Sequence, residues 1–197
     1  VNNIMIALYA FVIISFFITI VDIIIRFPLQ SEMIDYNDIQ AIVINVLALL
    51  IQIVSFAYGF VNAIRGMLSP KRMGAVIVAF FAATCITGTG NMVIYSNVQI
   101  VLWWIVLIIP NIVGAVATFA YFVLGKKSKI YSIIIYLVAI WGMFRIIYSN
   151  YNLIVHANQY LSMNSTVRLV LEIAIHCLVI YQTYVLWIKR QNATDIS

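Results

Sequence analysis

The chain has 197 residues, of which 65% are hydrophobic and 9% charged, with 11 Lys and Arg against 6 Asp and Glu. Soluble domains are nearer half apolar and a quarter charged, so this composition excludes a soluble globular protein and points to an integral membrane protein. The net charge of +5 then reflects the sidedness of the loops and contact with anionic lipid, and nucleic acid is not an expected partner.

A helix that crosses the hydrocarbon core takes about 20 apolar residues. The chain offers six such stretches joined by short loops. The expected fold is an all-α integral membrane protein, a single polytopic transmembrane domain over residues 1–197. Its six helices are expected at about 4–25, 39–64, 74–95, 99–124, 130–148 and 166–188. A secretory signal peptide is not expected, because the first apolar run is too long and no small-residue cleavage site follows it.

The first segment carries Ser15, Thr19, Asp22 and Arg26 on one helical face, and Pro28 is expected to end it. An acidic loop follows. In the second segment Ala41, Asn45, Ala48, Gln52, Ser55, Gly59 and Asn62 recur at alternating spacings of four and three. Such a stripe of small and polar residues packs helix on helix in lipid, which predicts a central position for this helix. The loop after it is basic, with Arg65, Lys71 and Arg72.

The third segment contains Thr87-Gly-Thr-Gly-Asn91. Two glycines among threonines mark either an unwound turn or a close helix contact. No phosphate loop is indicated, since no strand precedes them and the glycine spacing does not match. The fourth segment opens with Trp103 and Trp104 near an interface and holds Pro110-Asn111 at mid-membrane, where a kink with freed carbonyls is expected. A second basic loop contains Lys126, Lys127 and Lys129, and Arg145 lies near the far end of the fifth segment. Residues 149–165 are polar, dotted with aromatics, and read as an interfacial stretch. The two cysteines, Cys85 and Cys177, lie within apolar segments and read as packing residues. Asn164-Ser-Thr166 is a glycosylation sequon, a pattern that also arises by chance.

With six spans, alternate loops share a side. Arg65, Lys71, Arg72, Lys126, Lys127, Lys129, Lys189 and Arg190 then fall with the N-terminus, which is eight of the 11 basic residues. The positive-inside rule places both termini in the cytoplasm of a cell membrane or an equivalent energy-coupling membrane.

The last segment carries Arg168, Glu172 and His176 at every fourth residue, a ladder along one helical face that must turn toward protein or water. Glu172 lies roughly one third of the way in from the outer side at about 1.5 Å per residue. Asp22, Arg26, Asn45, Asn91 and Arg145 lie at comparable depth, and His176 and Asn111 nearer the middle. The inner half holds almost nothing polar beyond Ser55 and Asn62. A pore or proton relay needs polar groups through the whole thickness. A polar outer half over an apolar floor instead describes an outward-facing pocket.

The candidate ligand-binding residues are therefore Asp22, Arg26, Asn45, Asn91, Arg145, Arg168, Glu172 and His176, and their balance suits a neutral, zwitterionic or anionic ligand. Ala48, Gln52, Ser55, Gly59, Asn62, Pro110 and Asn111 are the candidate packing residues. The opposing reading is that Asp22–Arg26, Arg168–Glu172 and Arg145–Glu172 neutralise one another and pin helices together.

No His-Glu-x-x-His motif, carboxylate-rich metal set or Ser/His/Asp arrangement is present in the sequence, so no enzyme and no metal are expected. No cofactor is expected either. A haem or quinone at His176 is the remaining option, with His156, the other histidine, expected outside.

Two functions fit. One is a protein that binds or transports a small polar ligand, working with a membrane partner or as an oligomer. The other is an accessory subunit of a larger membrane complex, such as a respiratory one. The direction of the second helix's stripe separates them: inward favours the pocket, outward the subunit. In size and expected topology the chain is similar to the substrate-binding subunits of energy-coupling-factor vitamin transporters, a similarity of outline without a shared motif.

Overall fold

The computed structural model describes residues 2–30, 36–94, 98–149 and 163–194, and within those helices the side chains of residues 2, 19, 22–30, 36–38, 91, 98–100, 103–104, 149, 163–168, 190 and 192–194 are outside the description. The fold is all-helical, with no strand among the described residues. The helices are α1 (Asn2–Gln30), α2 (Tyr36–Ile64), α3 (Pro70–Ile94), α4 (Val98–Thr118), α5 (Lys129–Ser149) and α6 (Met163–Thr194). A π-helical turn, Phe119–Val123, prolongs α4. Among the described residues, five spans, in α2 to α6, are long and apolar enough to cross a membrane, and α1 holds the apolar stretch Asn3–Ile18.

Each helix packs on its neighbours in sequence, α6 closes the ring on α1, and α3 touches α6 across the middle. Pairs of contacts give the directions. Gly90 abuts Ile44 and Arg72 bonds Asn62, so α2 and α3 are antiparallel. Gly88 abuts Ile108 while Gly74 abuts Phe122, which sets α4 against α3. Gly142 abuts His176 while Tyr136 lies within electrostatic reach of Tyr184, which sets α6 against α5.

The core is aromatic. Phe56 meets Tyr9, Phe16 and Phe80 with ring centroids 6.2, 5.8 and 6.4 Å apart, so α1, α2 and α3 share one cluster. Large rings seat beside glycines here because lipid is as apolar as a side chain, and association depends on close packing.

Several expectations are corrected. Pro28 does not end α1, which runs to Gln30; so near the last turn, its missing N–H costs a single intrahelical bond. The basic loop shrinks to five residues outside helix, because α3 begins at Pro70. Ser69 is its N-cap, its Oγ accepting the Arg72 N–H at 3.3 Å, and proline suits the first helical position. Of the two readings of Thr87 to Asn91, the close helix contact is the one observed, and the stretch stays helical. A Cβ at Gly88 would stand 2.9 Å from Ile108, and one at Gly90 2.7 Å from Ile44, so both glycines serve close contacts. Helix α2 is not central: 17% of its span is buried against 56% for α6, which holds the middle with α3. Asn164 and Ser165, expected before the last span, are already helical.

The α2 end is locally determined. Gly66 adopts φ +67°, and the Met67 and Gly66 amides bond the Asn62 and Ala63 carbonyls at 2.9 and 3.1 Å. That is a Schellman C-cap, in which glycine meets no steric cost. Gly125, φ +69°, closes the π-helical turn in the same way. There the Lys126 amide reaches the Ala120 carbonyl at 3.0 Å.

Candidate functional site

The ladder of α6 meets α5. His176 is buried, and its Nδ1 lies 2.7 Å from the Glu172 carbonyl one turn back. A carbonyl only accepts, so Nδ1 carries a proton and donates it to that carbonyl. The ring stands edge-on to Phe80 at 5.3 Å and 90°. On its other side it presses on Gly142, where an added Cβ would meet Nε2 and come within 2.7 Å of Cδ2. Both ring nitrogens therefore face backbone, and a metal or haem iron at Nε2 requires α5 to move.

Continuing one turn outward from that contact brings Arg145 on α5 level with Glu172 on α6. Both lie within electrostatic reach of His176. Arg145, Glu172 and His176 thus form one group across the α5–α6 contact. Both Arg145 and Glu172 make interactions of their own.

Helix geometry turns burial into a statement about openness. Glu172 shares its face with His176 and Val179, four and seven residues on, and both are buried. Glu172 itself is only half-buried. Asn45 shares its face with Ala41, Ala48 and Gly59, all buried, yet is exposed. Each lies nine residues from the start of its helix, Tyr36 or Met163, but those starts are not level. Phe56 and His176 both pack on Phe80. Asn45 is 11 residues from Phe56 while Glu172 is four from His176, which sets Asn45 about 10 Å nearer the end of the bundle at about 1.5 Å per residue. Two helices therefore turn polar groups inward toward the end of the bundle where they begin, and the bundle leaves both accessible.

Of the other candidates, Asp22, Arg26, Asn91 and Arg168 lie on described helices, but their side chains fall outside the description, as do those of Trp103 and Trp104. The interfacial stretch with His156 falls largely within residues 150–162, also outside it.

The stripe of α2 points mainly inward and is used for packing. Ala41, Ala48, Gly59 and Asn62 are buried, and Gln52 and Ser55 half-buried. The Tyr9 ring lies on Gly59, with Cζ 2.6 Å from where a Cβ would be. Ser55 bonds the Ile51 carbonyl at 2.6 Å, and Asn62 the Tyr58 carbonyl at 2.7 Å. Around Pro110 the helix continues; Asn111 is buried and its Nδ2 donates to the Leu107 carbonyl at 2.7 Å. Cys85 and Cys177 are free thiols, both half-buried.

The inner half is not an apolar floor. Gln182 and Thr183 of α6 are 0% exposed, and Gln182 Nε2 donates to the Tyr9 hydroxyl on α1. Gln182 Oε1 and the Thr118 hydroxyl are buried without a hydrogen-bond partner among the described residues. The adjacent polar pair Gln182-Thr183 inside an apolar run was the available signal. Tyr9 and Gly142 gave none, since their roles come from the partner helix.

Fold and site together define the class as a multi-pass helical membrane protein. Compared with protein-family models, curated proteins and solved structures, the chain finds no match.

Proposed function

We propose that this chain binds a small polar ligand, neutral, zwitterionic or anionic, in a pocket entered from the end of the bundle where α2 and α6 begin. Support comes from one observation: Asn45 and Glu172 sit on inward faces toward the same end of the bundle and remain accessible, with Arg145 beside Glu172. Polar groups there are costly in lipid and are retained where water or a ligand reaches them. With both termini cytoplasmic, as the basic loops imply, the pocket opens outward. Transport in this reading works through a membrane partner or an oligomer. Neither a cofactor nor a catalytic step is part of this reading.

The test is thermal. The purified protein in mild detergent is screened against small polar molecules, and a ligand that binds raises the melting temperature through mass action. Glu172→Gln should abolish the shift, and an unchanged shift overturns the site.

One observation favours a second reading, an accessory subunit of a membrane complex. The outer face of α2 presents Val43, Leu47, Leu50, Val54 and Val61 with little of the helix covered. Co-purification of other membrane subunits in fixed ratio would establish it in place of the first.

A further inference from the structure

We propose that the hairpin between α2 and α3 binds the phosphate of an anionic glycerophospholipid, with Arg72 as its positioned contact. The guanidinium is held by one nitrogen. Nη1 donates to the Asn62 Oδ1 at 2.8 Å and to the Met67 carbonyl at 2.7 Å, which uses both of its protons. Asn62 is 8% exposed and is itself anchored to α2 through the Tyr58 carbonyl. Among the described residues Nε and Nη2 make no hydrogen bond, so one edge of the fork, with three N–H groups, is left to present to a ligand. That planar edge matches two phosphate oxygens, and its geometry is set before binding. The Gly66 cap and the Ser69 N-cap hold the loop that carries it.

The surroundings select the source of the phosphate. Arg65 and Lys71 flank Arg72 and are exposed. The contact of Gly74 with Phe122 brings the α4–α5 hairpin alongside, adding Lys126, Lys127 and Lys129, all exposed. No acidic residue stands at this end among the described residues. Arg72 lies within the first turn of a spanning helix, at headgroup depth, and Tyr58, one turn inward from Asn62, is 47% exposed and gives an acyl chain an apolar wall. A soluble phosphate would use the cations and leave that wall empty.

The experiment is native mass spectrometry of the delipidated protein in neutral detergent, with phosphatidylglycerol, phosphatidylcholine or inorganic phosphate added. One phosphatidylglycerol should be retained in preference to phosphatidylcholine. Arg72→Gln should weaken retention by about tenfold, the scale of a charge-assisted pair. Arg72→Lys, which keeps the charge and loses the fork, should also weaken it, whereas Lys127→Gln should change it by less than about twofold. Melting temperatures confirm that the variants are folded, and Arg72→Lys carries the test if Arg72→Gln is not. Equal retention of the two lipids overturns the proposal, as does an Arg72 variant that behaves like Lys127→Gln. Displacement of the lipid by inorganic phosphate overturns the assignment to lipid.

Discussion

Replacing Gly142 by alanine inserts one methyl group where α5 and α6 meet. The new Cβ would overlap His176 Nε2 and stand 2.7 Å from Cδ2 and 3.2 Å from Cε1. The imidazole has little room to retreat, because Nδ1 is held at 2.7 Å by the Glu172 carbonyl and the ring edge packs on Phe80. Overpacking of this kind costs about 1–3 kcal/mol. If the ring swings away, a hydrogen bond worth about 0.5–1.5 kcal/mol and an aromatic contact of similar size are lost instead. Alanine returns about 1 kcal/mol of helix propensity. The net expectation is a loss of about 0–2 kcal/mol, read by denaturant unfolding in mixed micelles. The decisive comparison is a double-mutant cycle with His176→Ala, which removes the obstacle. Gly142→Ala should then be neutral or stabilising in the His176→Ala background, a coupling above about 1 kcal/mol. Additive effects, within about 0.5 kcal/mol, would refute the contact and with it the register that brings Arg145 level with Glu172.

Other consequences can be checked independently. With Cys85 and Cys177 replaced by alanine, a membrane-impermeant thiol reagent should label Asn45→Cys and Glu172→Cys but not Ala48→Cys or Val179→Cys; equal labelling within either pair of faces removes the pocket. Gln182→Leu should cost about 1–3 kcal/mol by leaving the Tyr9 hydroxyl buried and unpaired, and adding Tyr9→Phe should recover most of it. Gly66→Ala meets no neighbouring atom within 4 Å, so its cost is backbone strain alone, about 1–2 kcal/mol, measured in the same unfolding assay. A thermal shift that survives Glu172→Gln would remove the carboxylate from the proposed site.

Sequence and structure part company at identifiable residues. The inward turn of the α2 stripe followed from its spacing, yet the helix's peripheral place did not. Spacing reports which face is covered, while position in a ring depends on how many neighbours cover it. The ladder on α6 was legible because helical period alone puts Arg168, Glu172 and His176 on one line. That His176 is closed off by Gly142 was not, because a glycine within a span reads the same whether it faces lipid or an imidazole. The polar inner layer was overlooked for a related reason. Tyr9 counts as apolar by composition, and only the approach of α1 to α6 turns its hydroxyl into a partner for Gln182.

By itself, the sequence determined that this is a membrane protein of helical spans, roughly where those spans run, and that polar groups gather on particular faces. These are one-dimensional properties, written in hydropathy and in a period of 3.6 residues per turn. The tertiary structure alone decided the closing of the ring through α6 and α1, the burial of His176, the accessibility of Asn45 and Glu172, and the fixed guanidinium of Arg72. Each of these depends on a contact between residues distant in the chain, and in lipid such contacts are selected by shape, with hydrophobicity nearly the same on every face.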